Sequence, residues 1–596
     1  MAFPKRDAIK EPLLKMIAQR GGAVKPNDVV QPLAEHFALT PAEQQDKLLS
    51  GANRWKNVVM WVRNDLRGEG YIDGTEPGIW KITDKGLERI GQAPDPPPDE
   101  SISLPVVSDD NPLAPTPEAL LRQLIAELRG RILIDEPLVR RIYHALLAGH
   151  VILSGPPGTG KTELARLIPE LLWQSEVNAG ANPDPNGAAM TTARTTTTAY
   201  ATHLVTATDE WSVRTLIGGL APTSDGGQVA YRIQHGHLTA ALFENWAISP
   251  GNPNEWVNPE RKTLKTSSYL ADGTTTEFRG RWLVIDEFNR APIDLALGDA
   301  LTALGGSGRL RVPVDGGSAE LPLPADFRII GTLNSFDRNY LNQISEALKR
   351  RFAFIEVPVP IRARRVAEQA IVLAKALAGV AHLSPAITVD PGRRVQWPNV
   401  VSITRAAGGE WSISWATPAP ALQEVFGFVW NNFEVIRIYR QLGTAQAIAL
   451  LRQMLIAGIV QNFTTVAQWV EAADLALCDT VADQLQILLP DELEVLINAL
   501  TASDAATFTT RLNATLLRLL ASPRRLAAQV AALNAVVDEQ GQPIVALSED
   551  IDSYAGQSPP AVSEPQAIAL FHWQNAGYPL PNLVRRLRAF KLERGL

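Results

Sequence analysis

Cysteine is nearly missing from this chain. Cys478 is the only one in 596 residues, which excludes an internal disulfide and any Cys-rich zinc site and suits a reducing compartment. It lies in an apolar helical stretch and is expected in the core. Long uncharged apolar runs are missing too, so no segment is expected to cross a bilayer, and the opening MAFPKRDAIK has no signal-peptide apolar core. A cytoplasmic protein with no membrane contact is the expectation. Positive charge is not in excess: 56 Lys and Arg against 63 Asp and Glu leave −7, so any nucleic-acid contact must come from a local patch. Nuclease and protease constellations are absent as well. The 8 histidines are scattered, no Ser-His-Asp set stands out, and no acid pair is followed by Glu-X-Lys on a hairpin. What is left is an ordinary globular composition, 45% hydrophobic and 20% charged, at a length that suits three or four domains.

One stretch carries strong chemistry. VILSGPPGTGKT, residues 151–162, is a short apolar strand running into a glycine-rich loop that ends in Lys-Thr. Gly155, Pro156, Pro157, Gly158, Thr159 and Gly160 form a turn whose backbone N–H groups can face phosphate oxygens. Lys161 supplies a positive charge for the terminal phosphates of a nucleotide, and Thr162 a hydroxyl for Mg²⁺. Residues 163–172 then read as a helix whose N-terminus faces the anion.

Downstream, RWLVIDEFNRA places Asp286 and Glu287 at the end of a buried strand over 282–285. Asp286 can hold the Mg²⁺ shell and Glu287 can orient and deprotonate an attacking water. A second apolar strand over 327–332 ends near Asn334, whose amide can reach water and the γ-phosphate. Arg350 and Arg351 close a helix, placed to project from one subunit into a neighbour's nucleotide; for either one alone, a surface ion pair is the plain alternative.

The N-terminal 91 residues form a separate unit. Helices are expected over 9–18, 26–37 and 53–67, then a hairpin with a Gly/Pro-rich tip in GYIDGTEPGIWKITDKG, then a short helix over 84–90. Three helices plus a hairpin is winged-helix order. On the third helix, Trp55, Val59, Val62 and Leu66 share a core stripe. Asn53, Asn57 and Asn64 face away, flanked by Lys56, Arg63 and Arg67. Amides suit adenine edges and cations suit phosphates, yet a solvated face is the plain alternative, since the unit holds 14 Lys and Arg against 12 Asp and Glu, a net of +2.

The run from IKEPLLKMIAQRGG through GYIDGTEPGIWKITDKG resembles the N-terminal winged-helix domain of Mrr-type restriction proteins over nearly all of residues 8–91. That resemblance implies duplex DNA as a ligand, with docking to a protein as the alternative.

GPPGTGKT, LVIDEFNRA, GTLNSFDR and EALKRRF, in that order, resemble an AAA+ ATPase of the dynein-related/MoxR clade, and within it the McrB-type motor of modification-dependent restriction, over about residues 118–360. The resemblance makes Lys161 and Thr162 Walker A, Asp286 and Glu287 Walker B, Asn334 sensor 1, and Arg350 or Arg351 the arginine finger. It implies ATP or GTP as substrate with Mg²⁺, and a homo-oligomer, a hexameric ring. It also implies a separate McrC-like or PD-(D/E)XK nuclease partner. Leu333 departs from the Met usual before the sensor Asn in McrB-type motors.

The remaining chain is expected as follows. Residues 92–117 are a Pro-, Asp- and Ser-rich flexible linker, and 118–360 the nucleotide core. Residues 361–460 form a helical lid interrupted by a hairpin in VQWPNVVSITRAAGGEWSISW. Arg440 in that lid is a sensor-2 candidate, with a surface cation as the alternative. Residues 461–596 are helical, without a chemical motif, and end in the basic amphipathic LVRRLRAFKLER. The fold class is thus multidomain α/β: a winged helix, a parallel-sheet NTPase core, and a helical lid with a helical C-terminal region. The function implied is a DNA-coupled NTPase motor in restriction or antiphage defence. A MoxR-like chaperone and a nucleotide-switched DNA-binding regulator are the alternatives.

Overall fold

The computed structural model describes residues 4–20, 22–47, 53–73, 79–90, 113–174, 199–225, 228–270, 273–334, 344–390, 394–406, 410–554, 559–572 and 578–593. Contacts divide the chain into two units, Met1–Val106 and Val107–Leu596.

In the first unit, helices Arg6–Gln19, Pro26–His36 and Arg54–Gly68 enclose Leu13, Leu14, Ile17, Leu33, Trp55, Val59, Val62 and Leu66. The helix Pro41–Gln45 was not foreseen; Thr40 caps it, its hydroxyl accepting from Glu43 N. Strands β1 (Ala23–Val24), β2 (Ile72–Asp73) and β3 (Trp80–Ile82) make an antiparallel sheet in the order β1-β3-β2. The expected hairpin therefore gains a third strand, from between the first two helices. Trp80 and Ile82 are buried and Lys81 exposed, the period of two that lays one face of a strand on a core. The hairpin tip, 74–78, lies outside the described residues.

In the second unit, the described residues before the lid form β4 (His150–Gly155), β5 (Tyr200–Thr206), β6 (Gly218–Asp225), β7 (Gln228–His235), β8 (Leu264–Ser267), β9 (Thr275–Phe278), β10 (Gly280–Asp286), β11 (Arg309–Val314), β12 (Gly317–Pro322), β13 (Ile329–Asn334) and β14 (Phe352–Glu356). Five of them form an all-parallel sheet in the order β14-β4-β13-β10-β5. Their apolar runs, Val151–Leu153 in β4 and Trp282–Ile285 in β10, are continuous because both faces are covered. Helices Glu118–Arg131, Glu136–Ala148 and Lys161–Leu171 cover one face; helices His237–Phe243 and Ile293–Leu297 pack on the other. The pairs β6–β7, β8–β9 and β11–β12 are antiparallel hairpins. Residues 175–198 lie outside the described residues, as do 92–112 of the expected linker.

The end of that linker belongs to the core. Leu113 is buried in it, Thr116 N donates to Tyr143 Oη at 2.6 Å, and Trp173 Nε1 donates to Ala114 O at 3.1 Å.

After β14 come the lid helix Arg365–Val380, an antiparallel sheet of β15 (Thr388–Asp390), β16 (Arg394–Trp397), β17 (Val401–Arg405) and β18 (Trp411–Trp415), and helices Ala421–Arg437 and Thr444–Gln461. A single hairpin was expected in that insertion. The first strand is three exposed residues and carries no alternation to read. Helices from Val466–Thr480 to Pro581–Glu593 share one hydrophobic core with the lid, so the boundary placed at 460 falls inside a core rather than between two. The helical segments Arg362–Leu383 and Thr444–Gln461 are long and apolar enough to pass as membrane spans by length and composition; here Leu373, Leu377, Leu451 and Leu455 pack inside that core. Cys478 is half-buried rather than core. In the basic last helix, Arg586 pairs with Asp483 at 2.9 Å and Lys591 with Glu494 at 3.3 Å, so part of its charge is used internally.

Candidate functional site

The register of the parallel sheet assembles the nucleotide site. Gly155 at the end of β4 pairs with Asn334 at the end of β13, and Ile285 of β10 pairs with Gly331. The loop Gly155–Lys161, the acidic pair Asp286–Glu287 and Asn334 therefore meet at the carboxyl ends of neighbouring strands, where ligands sit in open α/β sheets. Gly331 allows this closeness, because a Cβ there would stand 2.9 Å from the Phe288 ring.

Lys161 opens its helix and is buried; its Nζ donates to Gly155 O at 3.0 Å and Pro156 O at 2.6 Å. Burial lowers its pKa to about 8, while Asp286 and Glu287 pull the other way. Thr162 Oγ1 donates to Asp286 Oδ1 at 2.7 Å. Gly158 and Gly160 have φ of 76° and 83°, which favours glycine, and Thr159 Oγ1 donates to Pro156 O at 3.1 Å to close the turn.

Sequence reasoning missed Thr332. This buried hydroxyl donates to Asp286 Oδ1 and accepts from Glu287 N at 3.2 Å. It thereby holds Glu287 at a left-handed φ of 56°. The signal was the period of two: residues 332 and 334 of one strand share a face. Glu287 Oε2 also lies 2.6 Å from Arg290 Nε. Asn334 Oδ1 and both amide atoms of Asn289 are buried with no partner among the described residues.

The arginine pair separates. Arg350 is exposed, whereas Arg351 turns inward; its Nη1 donates to Ala347 O at 3.0 Å and its guanidinium lies 2.6 Å from where a Cβ on Gly305 would be. The helix that carries them, Glu346–Arg351, is capped by Ser345. Ser345 N donates to Asp294 Oδ2 at 3.2 Å, and its hydroxyl to the same carboxylate. Helix Ile293–Leu297, which follows the acidic pair, and the arginine helix are thus tied together.

From the lid, Gly443 and Gln446 lie against Gly158, leaving no room for a side chain on either glycine, and Ala445 N donates to Gly158 O at 3.0 Å. Arg440 sits just before Gly443, in the turn between helices Ala421–Arg437 and Thr444–Gln461. The lid residues seen against the loop are therefore beyond Arg440 in the chain.

In the first unit, helix Arg54–Gly68 buries the expected stripe and leaves Lys56, Asn57, Asn64 and Arg67 exposed. Two expectations change. Asn53 is the helix cap, its Oδ1 accepting from Lys56 N at 2.9 Å and its Nδ2 donating to Gln44 O at 2.7 Å, so its amide is engaged inside the domain and not directed to a base. Arg63 is half-buried over the Trp80 ring, 6.0 Å from its centroid, with Nη1 donating to Asn64 Oδ1 at 3.0 Å. Met60 and Trp61, 36% and 49% exposed, stand on the open side of the helix and were not foreseen. The Arg6 guanidinium lies 5.3 Å from the Trp61 ring centroid.

Residues 7–92 match the Mrr N-terminal domain, and residues 186–352 match the AAA domain of the dynein-related subfamily. The chain joins an Mrr N-terminal domain to a dynein-related AAA domain. The AAA match starts beyond the phosphate loop and runs through Asp286, Glu287, Asn334, Arg350 and Arg351. None of the curated proteins matches the chain. Among solved structures, NtrX from Brucella abortus overlaps 69% of this chain and 71% of its own at 16% identity and a TM-score of 0.29. The same protein in complex with ADP overlaps 73% and 69% at 15% identity and a TM-score of 0.31. Overlaps this loose carry no argument; the AAA assignment rests on the family match over residues 186–352, and the parallel sheet gives the α/β core.

Proposed function

We propose that this chain is a Mg²⁺-dependent nucleoside triphosphatase, hydrolysing ATP or GTP, that works as a homo-oligomeric ring motor on DNA. The observation that carries the hydrolase reading is the junction of Lys161, Thr162, Asp286, Glu287 and Asn334 at one sheet edge. Lys161 and the loop amides would bind the phosphates, and Lys161 would regain full charge beside them. Thr162 Oγ1 and Asp286 Oδ1, 2.7 Å apart, are two hard oxygens at a spacing that suits a Mg²⁺ ion and its waters. Bound there, the ion would neutralise phosphate charge. Glu287, fixed by Thr332 and Arg290, would orient and deprotonate the attacking water, and Asn334 would hold that water against the γ-phosphate.

Arg350 is the better candidate for the arginine supplied to a neighbour, because it is exposed while Arg351 is engaged within its own subunit. That requirement for a neighbour supports the oligomer, a hexamer by family resemblance. The Mrr domain supports duplex DNA as the partner that the ring acts on, through Lys56, Asn57, Asn64 and Arg67. No cutting constellation is read in the sequence, so restriction or antiphage defence would need a separate nuclease of McrC-like or PD-(D/E)XK type.

Hydrolysis by the full chain should be stimulated by duplex DNA and be lost in Lys161→Ala. The exposed Met60 and Trp61 favour one second reading, a chaperone that docks a protein through this face. Stimulation by a partner protein, with indifference to DNA, would select it. Tight DNA binding with no turnover would select a nucleotide-switched regulator.

A further inference from the structure

The lid insertion has no role in the site described so far, yet two of its residues reach across to the nucleotide core. Trp411 of β18 donates its indole N–H to Gly130 O at 2.9 Å, and Arg405 of β17 donates Nη2 to Glu127 O at 3.2 Å. The Arg405 guanidinium fills the place that a side chain on Gly130 would take, so a larger residue there would displace it. Both acceptors belong to the last turn of helix Glu118–Arg131. Leu128 O takes the closing helical hydrogen bond from Ile132 N, so Gly130 O beyond it has no partner within the helix, and the negative end of the helix dipole there suits a guanidinium.

That helix end touches the phosphate loop. Ile132, the next residue, packs its Cδ1 against Gly160, the cap of the phosphate-binding helix Lys161–Leu171. Leu121, Leu124, Ile125 and Leu128 of the same helix share a core with Leu164 and Ile168. On the opposite side of the loop, the lid reaches Gly158 directly through Gly443, Ala445 and Gln446. Between these contacts, Lys375 of the first lid helix pairs with Glu163, the residue after Thr162, at 3.1 Å. The loop is therefore held from two directions by one lid.

We propose that the β15–β18 insertion is a strap that fixes the lid to the phosphate loop, with Arg405 and Trp411 as positioning residues that set how long a nucleotide stays bound. The inference rests on the hydrolase reading above. Glu287, Thr332 and Asn334 stand on the core sheet, so loosening the strap should change nucleotide release and leave the chemical step intact.

The test uses the full chain and a fluorescent N-methylanthraniloyl ADP in stopped flow, beside steady-state ATP hydrolysis. Arg405→Ala should release the ADP analogue about 5–10-fold faster and raise KM for ATP by a similar factor, a share of the loss expected for one hydrogen bond from a charged group, since the strap acts on the nucleotide only through the lid. Its kcat should not fall. Trp411→Phe keeps the ring and loses the N–H, so it should show the same effect, about 2–5-fold. Arg405→Lys should recover part of the affinity, since an ammonium can still reach Glu127 O. Thermal melts confirm that each variant is folded. Folded variants with wild-type release rates and KM would overturn the strap, as would a loss confined to kcat. If the wild-type chain bound no nucleotide, or bound it equally after Lys161→Ala, the hydrolase reading itself would fall.

Discussion

Thr332→Val is the sharpest perturbation of the proposed chemistry. Valine has the shape of threonine, and the residue is 2% exposed, so packing should survive. What is lost is one hydroxyl with two duties. It donates to Asp286 Oδ1, a hydrogen bond to a charged group, and it accepts from Glu287 N at 3.2 Å. Losing the first costs about 1.5–3 kcal/mol of positioning, and the second leaves a buried N–H without its partner, a further 1–3 kcal/mol if nothing replaces it. Only part of that free energy will fall on the barrier, because Thr162 still donates to Asp286. A drop in kcat of about 10–100-fold, or 1.4–2.8 kcal/mol, is the expected share. Lys161 and the loop are untouched, so nucleotide affinity should stay within about threefold. Thr332→Ser keeps the hydroxyl and should recover most of the rate. Steady-state hydrolysis beside a direct nucleotide titration separates the two terms. Turnover within about twofold of wild type, or a loss found wholly in affinity, would show that Thr332 orients nothing.

The same site gives further expectations. Glu287→Gln should keep nucleotide binding and lose most turnover, whereas Lys161→Ala should lose binding itself, as measured by titration and phosphate release; normal turnover in Glu287→Gln would remove it as the base. Mixing Arg350→Ala subunits with Lys161→Ala subunits should restore some hydrolysis, because one sound interface can form from two different defects. A mixture no better than the sum of its parts would refute action in trans. His150 gives a stability test. Its half-buried ring accepts from Ile329 N at 3.0 Å and its pKa is lowered to about 3, chiefly by burial and then by Arg328. The unfolded chain binds a proton there below pH 6.5 and the folded chain does not until about 3, so stability present above 6.5 drains as pH falls. By pH 5 the loss should be about 1–2 kcal/mol, and His150→Asn, which keeps an acceptor but cannot titrate, should flatten that part of the acid limb in thermal melts. An identical acid limb in the variant would contradict it.

The parts of the fold that were legible in the sequence are those set by local signals. The strand before the phosphate loop, the strand before Asp286 and the core stripe of helix Arg54–Gly68 follow from apolar runs and a period of 3.6. Other features depend on what lies opposite in space. Thr332 reads as one more strand residue until the register sets it beside Asp286. Asn53 reads as an exposed amide until the helix start is fixed, and then it is the cap. Arg350 and Arg351 are equivalent in sequence. They differ because the chain near Gly305 accepts one guanidinium, which only the fold reveals. The four-stranded lid insertion was read as a two-stranded hairpin because β15 is three exposed residues and β16 only four residues with one buried, neither long enough to show alternation.

Under the proposed DNA-binding role, the first unit offers few contacts per copy. Six side chains of one helix were expected to contact DNA, and the fold uses Asn53 as a cap and packs Arg63 against the wing. Lys56, Asn57, Asn64 and Arg67 remain exposed, within a unit of 14 Lys and Arg against 12 Asp and Glu. Two phosphate contacts release few counterions, so one copy should bind weakly and with a shallow salt dependence. Replacing Lys56 or Arg67 by alanine should lower the log–log salt slope by about 0.9 each and weaken all sequences alike. Arg63→Ala should instead lower the melting temperature of the domain, because it uncovers Trp80. Trp61→Ala tests the exposed ring; if it weakens binding with the salt slope unchanged, the ring contributes contact rather than charge. Several copies in a ring would raise the apparent affinity through effective concentration, without any new contact. The full chain should therefore bind duplex DNA far more tightly than residues 1–91 alone, and more tightly with ATP if nucleotide drives assembly. Equal affinities for the two would mean that the ring adds nothing, and the protein-docking reading of this face would then lead.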